Sequence, residues 1–379
     1  MRMILASLLT LTLGMSAQMG PAQPTAKDRA AAKLQDDVAR AVAQPATAAK
    51  PADTGAQAAP LNGYDAEVSD VVKRFPEYLA KTPPFEGTIR ISGSNTMAQL
   101  LHSLGANYEA VYPGAKVQVK QGGSGKGLTD LREGKCDMAA VSRDLLPEEV
   151  AQLESATGRK VFQVPVALDG ICIFVNADNP LPAITRDQLN GIFSITHSLT
   201  KDPILRWNDL DAKSPLGDAF MPLYMLPAEH GTMRDFMRWA MPDEQLQTIT
   251  RNEEPGPSAV VNACCAYPAA MGISGYANRQ PRARMLPVSE GLGKPAVAPG
   301  FRTIRDRTYP LARSLNLVVL APSPQEVAPM QLDFLKFIWS ESGQDTCATL
   351  GVVVVDQDRP PELLRSLVGQ RFSEAPNAR

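Results

Sequence analysis

The chain has 379 residues, more than one hydrophobic core usually spans, so two lobes or domains are expected. Its formal net charge of −2 excludes the broad basic field that nucleic-acid and anionic-membrane binders need. Any anion site must therefore be local and built from aimed donors rather than bulk charge.

At the start, Arg2 precedes an apolar run, Ile4 to Met15, too short to span a bilayer as a permanent helix. Ser16 and Ala17 offer small residues for cleavage, so residues 1–17 read as an export signal. The first cysteine is Cys136, so a lipid-anchored mature N-terminus is not expected. Residues 18–62, rich in Ala, Pro, Gln, Lys and Asp, cannot bury enough apolar surface to offset their ordering entropy and read as a flexible leader. From Tyr64 to Leu79, the placing of Val68, Val71, Val72, Phe75 and Leu79 near one face predicts a helix.

Strands and helices then alternate. Thr88–Ile91 predicts a strand, followed by a helix carrying Met97, Leu100, Leu101, Leu104 and Tyr108 on one side. Val117–Val119 runs into a glycine-rich loop, a helix with Leu128 and Leu131 follows, and Met138–Val141 forms a strand ending at Ser142-Arg143. This order implies an open, mainly parallel sheet whose strand C-termini form a ligand crevice. The run Val164–Asn176 is too long for one ordinary strand; it predicts a crossing strand with its hinge at Asp169-Gly170. Thr185 and Gln188 have capping-box spacing ahead of Ile192 and Phe193. The second lobe is expected to continue to about Gly275, and Tyr309-Pro310-Leu311 with Leu315–Leu320 to return to the first.

Three segments place small hydroxyl, amide or glycine residues where a strand meets a helix: Ser94-Asn95-Thr96, Gly122–Gly125 and Gly231-Thr232. A helix start exposes unpaired N–H groups and the positive end of its dipole, so several aimed at one point make an anion cradle. Arg143, at a strand end, can grip two oxygens through its fork, or pair with a nearby acid. Asp169 beside an anion is unfavourable unless the ligand brings a proton, which hydrogen phosphate has and sulfate lacks; its alternative is a hinge turn residue. GGSGKG is not a nucleotide P-loop, because Gly127 replaces the Ser or Thr after Lys126. The five cysteines suggest one bridge at most, and scattered His102, His197 and His230 suggest no metal site. No nucleophile–His–acid set points to an enzyme.

Taken in order, Gly93–Thr96, Gly123–Gly127, CDMAAVSR ending at Arg143, and PVALDGICIFVNADNP resemble the phosphate-binding proteins of bacterial phosphate ABC importers. ITRDQLNGIF, RWNDL (206–210), PAAMGISGYA (268–277), YPLARSLNL (309–317) and FIWSESGQ (337–344) match that family's later segments in order, so the resemblance covers about residues 87–356. It implies an α/β, two-lobed periplasmic-binding-protein fold of the class II type, each lobe a mainly parallel sheet flanked by helices, joined by crossing hinge strands. Residues 63–170 would form the first part of lobe 1 with its N-terminal helix, 171–275 lobe 2, 276–365 the return to lobe 1 and 366–379 a loose tail. The implied function is that of a periplasmic, non-enzymatic receptor that captures phosphate or a close tetrahedral oxyanion between the lobes. It would deliver the ligand to an ABC permease in the inner membrane, working as a monomer with no cofactor, metal or nucleic acid. The implied contacts are Ser94, Asn95, Thr96, Ser124, Gly125, Arg143, Asp169, His230, Gly231 and Thr232.

The chain departs from that pattern in one place: Leu226 stands where the family offers an Arg, and His230 where it offers a Ser. A charge-assisted hydrogen bond contributes about 1.5–3 kcal/mol. Losing both donors would weaken binding about a hundredfold or more unless Arg234 or His230 compensates. A phosphate-binding-like envelope sensor or interaction protein with a weakened site is the alternative this departure opens.

Overall fold

The computed structural model describes residues 66–368 apart from 201, 212, 243 and 244. The expected export signal (1–17), the leader (18–62) and the tail beyond residue 368 lie outside the described residues.

The chain opens with α1 (Ala66–Val72), β1 (Gly87–Gly93), a 3-10 turn at Asn95–Met97 and α2 (Ala98–Val111). β2 (Ala115–Gln121), α3 (Ser124–Arg132), β3 (Met138–Val141), α4 (Pro147–Thr157) and the 17-residue β4 (Lys160–Asn176) follow. A second group comprises β5 (Ile184–Thr185), α5 (Arg186–Phe193), α6 (Trp207–Leu210), β6 (Leu223–Met225), α7 (Gly231–Ala240), β7 (Arg251–Glu253), α8 (Pro257–Ala266) and β8 (Met271–Gly275). It continues through β9 (Ala283–Met285), β10 (Val288–Ser289) and α9 (Phe301–Arg305). β11 (Ala312–Ala321), α10 (Pro329–Ile338), α11 (Glu341–Thr349) and α12 (Glu362–Val368) complete the described chain.

β4 belongs to both halves of the molecule. Its first part pairs antiparallel with β11 as far as Gly170↔Ala312, and from Ile171↔Gly275 onward it pairs with β8. The partner changes between Gly170 and Ile171, where Asp169-Gly170 was expected to form the hinge. One lobe has the order β2-β1-β3-β11-β4 and the other β4-β8-β6-β7 with β9 on β4's far edge. β1 pairs parallel with β2 and β3, and β6 with β7 and β8, but the crossing strands are antiparallel to their neighbours, so each sheet is mixed. Every residue of β4 from Ala167 to Asn176 is buried, which is why its apolar run is continuous rather than alternating.

Two readings of the sequence need correction. The first helix ends at Val72 instead of reaching Leu79, which is exposed; Pro76 disfavours helical backbone at Phe75. The second lobe does not end near Gly275: β9 pairs with residues 174–176 of β4, β10 with β5, and Leu286, Val288, Ile304 and Tyr309 join that lobe's core. The return begins only at β11, whose Leu315, Leu317 and Val319 enter the first lobe's core. Cys136, Cys172, Cys264, Cys265 and Cys347 are buried free thiols that pack as small apolar side chains.

The capping box at Thr185 forms as its spacing requires. Gln188 N donates to Thr185 Oγ1 at 3.1 Å, and Thr185 N donates to Gln188 Oε1 at 2.9 Å. Gly93 has no room for a side chain, because a Cβ there would lie 2.2 Å from Ala140 O; this close approach lets β1 and β3 end side by side.

Candidate functional site

Helical backbone begins at Asn95, Ser124 and Gly231, the three places where the hydroxyl, amide and glycine residues cluster. The ends of β1 and β3 bring the first two starts together. Ser94 N donates to Ala140 O, Gly122 N to Asn95 Oδ1 at 3.1 Å, and Ser142 N to Ser124 Oγ at 3.3 Å. Gly123, with φ +83°, turns the chain into α3, and no side chain caps that helix. Gly125 faces open space in its first turn.

The start of α7 arrives from the other lobe. A Cβ on Gly231 would lie 3.3 Å from Ser142 Oγ and 3.6 Å from Thr96 Oγ1, so this glycine sits against the first lobe's hydroxyls. His230 caps the helix: its Nδ1 accepts from Thr232 N at 3.2 Å, so the ring carries its proton on Nε2. Burial and then the charges of Arg313 and Arg234 push its pKa below the ordinary 6.5. Without a ligand, the ring is therefore held in its neutral form. The neutral ring still has Nε2–H to donate. Leu226 is buried in the second lobe's core and offers no donor.

Asp169 lies at the crossing, paired across the strands with Arg313 in register. Arg313 is buried, and each of its three guanidinium nitrogens is engaged. Its Nε and one terminal nitrogen donate to Asp169 Oδ2 at 3.1 and 2.8 Å, the same terminal nitrogen donates to Thr232 Oγ1 at 3.0 Å, and the other reaches Asp235 Oδ2 at 2.9 Å. It ties both crossing strands to α7. Sequence reasoning missed Arg313 although it lies within the quoted YPLARSLNL; a buried carboxylate on one crossing strand needs a cation, and the antiparallel return strand had to supply it.

Arg143, expected to grip ligand oxygens, is held by an acid in this structure. Both its terminal nitrogens donate to Glu149, each at 2.7 Å, and this fork-to-fork pair also fixes the start of α4, where Leu146 N donates to Glu149 Oε2. The acid-paired alternative is what the fold adopts. Ser142, its neighbour, was not singled out and is the residue that faces Gly231. Arg234, in the first turn of α7, is exposed, and its guanidinium comes within 3.0 Å of where a Cβ on Gly123 would sit. No other described side chain forms an ion pair with it.

Four side-chain atoms at this junction are buried and make no hydrogen bond: Ser94 Oγ, Thr96 Oγ1, Ser142 Oγ and Asp169 Oδ1. Buried polar atoms are nearly always paired, so unpaired hydroxyls and a carboxylate oxygen gathered at one lobe contact mark a place built for a ligand. Thr96, Asp169, His230 and Thr232 open onto an interlobe cavity of about 620 Å³. Among the described residues, no group of three His, Cys, Asp or Glu is placed to hold a metal, and no helix is long and apolar enough to cross a membrane.

Two lobes joined by crossing strands, with a polar cradle shared between them, define a two-lobed ligand-binding protein. A family model described as the PBP superfamily domain matches residues 44–342, and the chain belongs to that superfamily. It is 27% identical over 292 residues to the phosphate-binding protein PstS of Pseudomonas aeruginosa, covering 77% of this chain and 90% of the relative. PstS of Staphylococcus epidermidis is 27% identical over 265 residues, covering 68% and 76%. Among solved structures, a possible phosphate binding protein from Planctomyces limnophilus superposes with a TM-score of 0.59 at 22% identity, over 76% of this chain and 98% of its own. An ABC-type phosphate transport receptor from Vibrio cholerae gives 0.56 at 22%, over 71% and 100%. The shared feature is the fold: the two-lobed periplasmic-binding-protein architecture expected from the motifs.

Proposed function

We propose that this protein is an exported receptor that captures phosphate between its lobes and delivers it to an ABC importer. The observation that carries the reading is the set of unpaired buried atoms at the start of α7. Three hydroxyls, Ser94, Thr96 and Ser142, have protons to give, while Asp169 Oδ1 can only accept. A solute that satisfies all four must present several acceptor oxygens and one O–H. Hydrogen phosphate does so; sulfate has no proton and leaves Asp169 Oδ1 facing a bare anion oxygen.

Around those four atoms, the first-turn N–H groups at Ser124 and Gly125, the Gly231 N–H, the Thr232 hydroxyl and His230 Nε2–H complete the donor set, with Asn95 beside them. Arg234 supplies the exposed positive charge that the family draws from the position of Leu226. Arg313 neutralises Asp169 and orients Thr232. The named relatives, two of them called phosphate-binding protein PstS, support the same ligand. The apolar run at residues 4–15 supports export, and hence a periplasmic site of action.

Calorimetric titration of the mature protein with phosphate, sulfate, arsenate and molybdate tests this. Micromolar or tighter phosphate binding, far above sulfate, is expected, with a thermal midpoint that rises with ligand. Buried Leu226 favours the alternative of an envelope sensor or interaction protein with a weakened site. That alternative predicts no thermal shift with any small anion, and such a result would reject the transport reading.

A further inference from the structure

The cradle fills only one end of the space between the lobes. The cavity of about 620 Å³ falls in the range of pockets for drug-sized molecules, roughly 300–1,000 Å³. A water takes roughly 30 Å³ of liquid, and a tetrahedral oxyanion only a few times that. At the cradle end Gly231 lies against Thr96 and Ser142. At the other end Arg279, just after β8, donates to Gly351 O of the first lobe at 2.9 Å. The lobes thus touch on both sides of the cavity.

The rest of the cavity lining differs in character. Leu100, Leu350 and Val352 form an apolar wall, while Gln99 and Gln121 present amides, which can both give and accept hydrogen bonds. The Arg279 guanidinium is held 4.4 Å above the Tyr276 ring, with one nitrogen tied to Tyr276 O and Gly351 O. A fixed cation, amides and an apolar wall suit the carbon skeleton and hydroxyls of a small polyol.

We propose that the cleft binds phosphate as the monoester of a small polyol, the phosphoryl group in the cradle and the substituent extended toward Arg279. This rests on the phosphate reading above and narrows it.

The test is calorimetric titration of the purified protein with inorganic phosphate, glycerol 3-phosphate and glucose 6-phosphate at one pH and ionic strength. At least one ester is expected to bind about tenfold tighter than phosphate. Phosphate binding with no preference for either ester overturns the proposal and leaves the phosphate reading standing. If none of the three binds, both fall. Ser258→Trp provides a second measurement, because Ser258 is an exposed residue at the cavity rim in the first turn of α8. The added ring should lower ester affinity about tenfold, leave phosphate within about twofold and not change the melting temperature. Equal loss for ester and phosphate would mean that the far end is not a subsite.

Discussion

Replacing Arg313 with Met should be among the most damaging single changes in this protein. The guanidinium side chain is 6% exposed and its carboxylate partners, Asp169 and Asp235, are 4% and 14% exposed. Adding its four hydrogen bonds at about 1.5–3 kcal/mol each gives an overestimate, because the ions also lost their hydration on burial. The better measure is the effect of removing one partner from a buried ion pair, about 3–5 kcal/mol, since Met leaves Asp169 uncompensated at the crossing. Asp235 suffers less because Arg238 remains 3.1 Å away. Against a total stability of about 5–15 kcal/mol, this is a large share.

The assay is reversible urea unfolding of the wild type, Arg313→Met, Asp169→Asn and the double variant. Asp169→Asn removes the stranded charge, so the double variant should be more stable than Arg313→Met alone, with a coupling of about 1–3 kcal/mol. A loss below about 1 kcal/mol for Arg313→Met, or strictly additive effects in the double variant, would refute the claim that these residues form one buried unit.

Four further outcomes are expected. Asp169→Asn should narrow the preference for phosphate over sulfate in competition calorimetry, and an unchanged ratio would remove Asp169 from the ligand. Gly231→Ala should reduce phosphate affinity about tenfold or more, because the new methyl sits against Ser142 Oγ and Thr96 Oγ1. Its stability should stay within about 1 kcal/mol of wild type, alanine being the better helix residue. His230 is pushed below its ordinary 6.5, so the unfolded chain binds more protons in the window beneath that value, and stability falls as pH drops through it; urea midpoints of His230→Asn should show a shallower decline. Finally, exposed Arg234 acts through solvent, so phosphate affinity should fall as salt rises from about 10 to 150 mM, and Arg234→Ala should flatten that slope.

Local signals account for what was legible in the sequence. β3 falls on Met138–Val141, and the partner switch of β4 falls beside Asp169-Gly170, because apolar runs and glycine punctuation act over a few residues. The helical starts at Asn95, Ser124 and Gly231 follow from the same kind of local cue. What was not legible depends on contacts between distant segments. Arg143 looks free until α4 presents Glu149 to it, and Pro147 with an acid at the third helical position was the available hint. Arg313 is opposite Asp169 only because two crossing strands run antiparallel, 144 residues apart in sequence. The end of the second lobe was misplaced for the same reason, since the short β9 and β10 are held by pairing with β4 and β5 rather than by their own composition.

On the proposed phosphate reading, these non-local contacts offset the departure at Leu226. An arginine at that strand end would bring a positive charge to the cradle from the second lobe itself. Here the second lobe's core takes a leucine there, and positive charge comes from two other places. Arg313 at the crossing cancels Asp169, so a bound anion faces a neutral pair plus one unpaired acceptor instead of a net negative charge. Arg234, on the surface of α7, meets the Gly123 loop only where the lobes come together. The first contribution is built into the hinge and barely depends on salt, whereas the second exists only in the closed form and is screened by it. On the proposed phosphate reading, attraction for the ligand is thereby coupled to lobe closure.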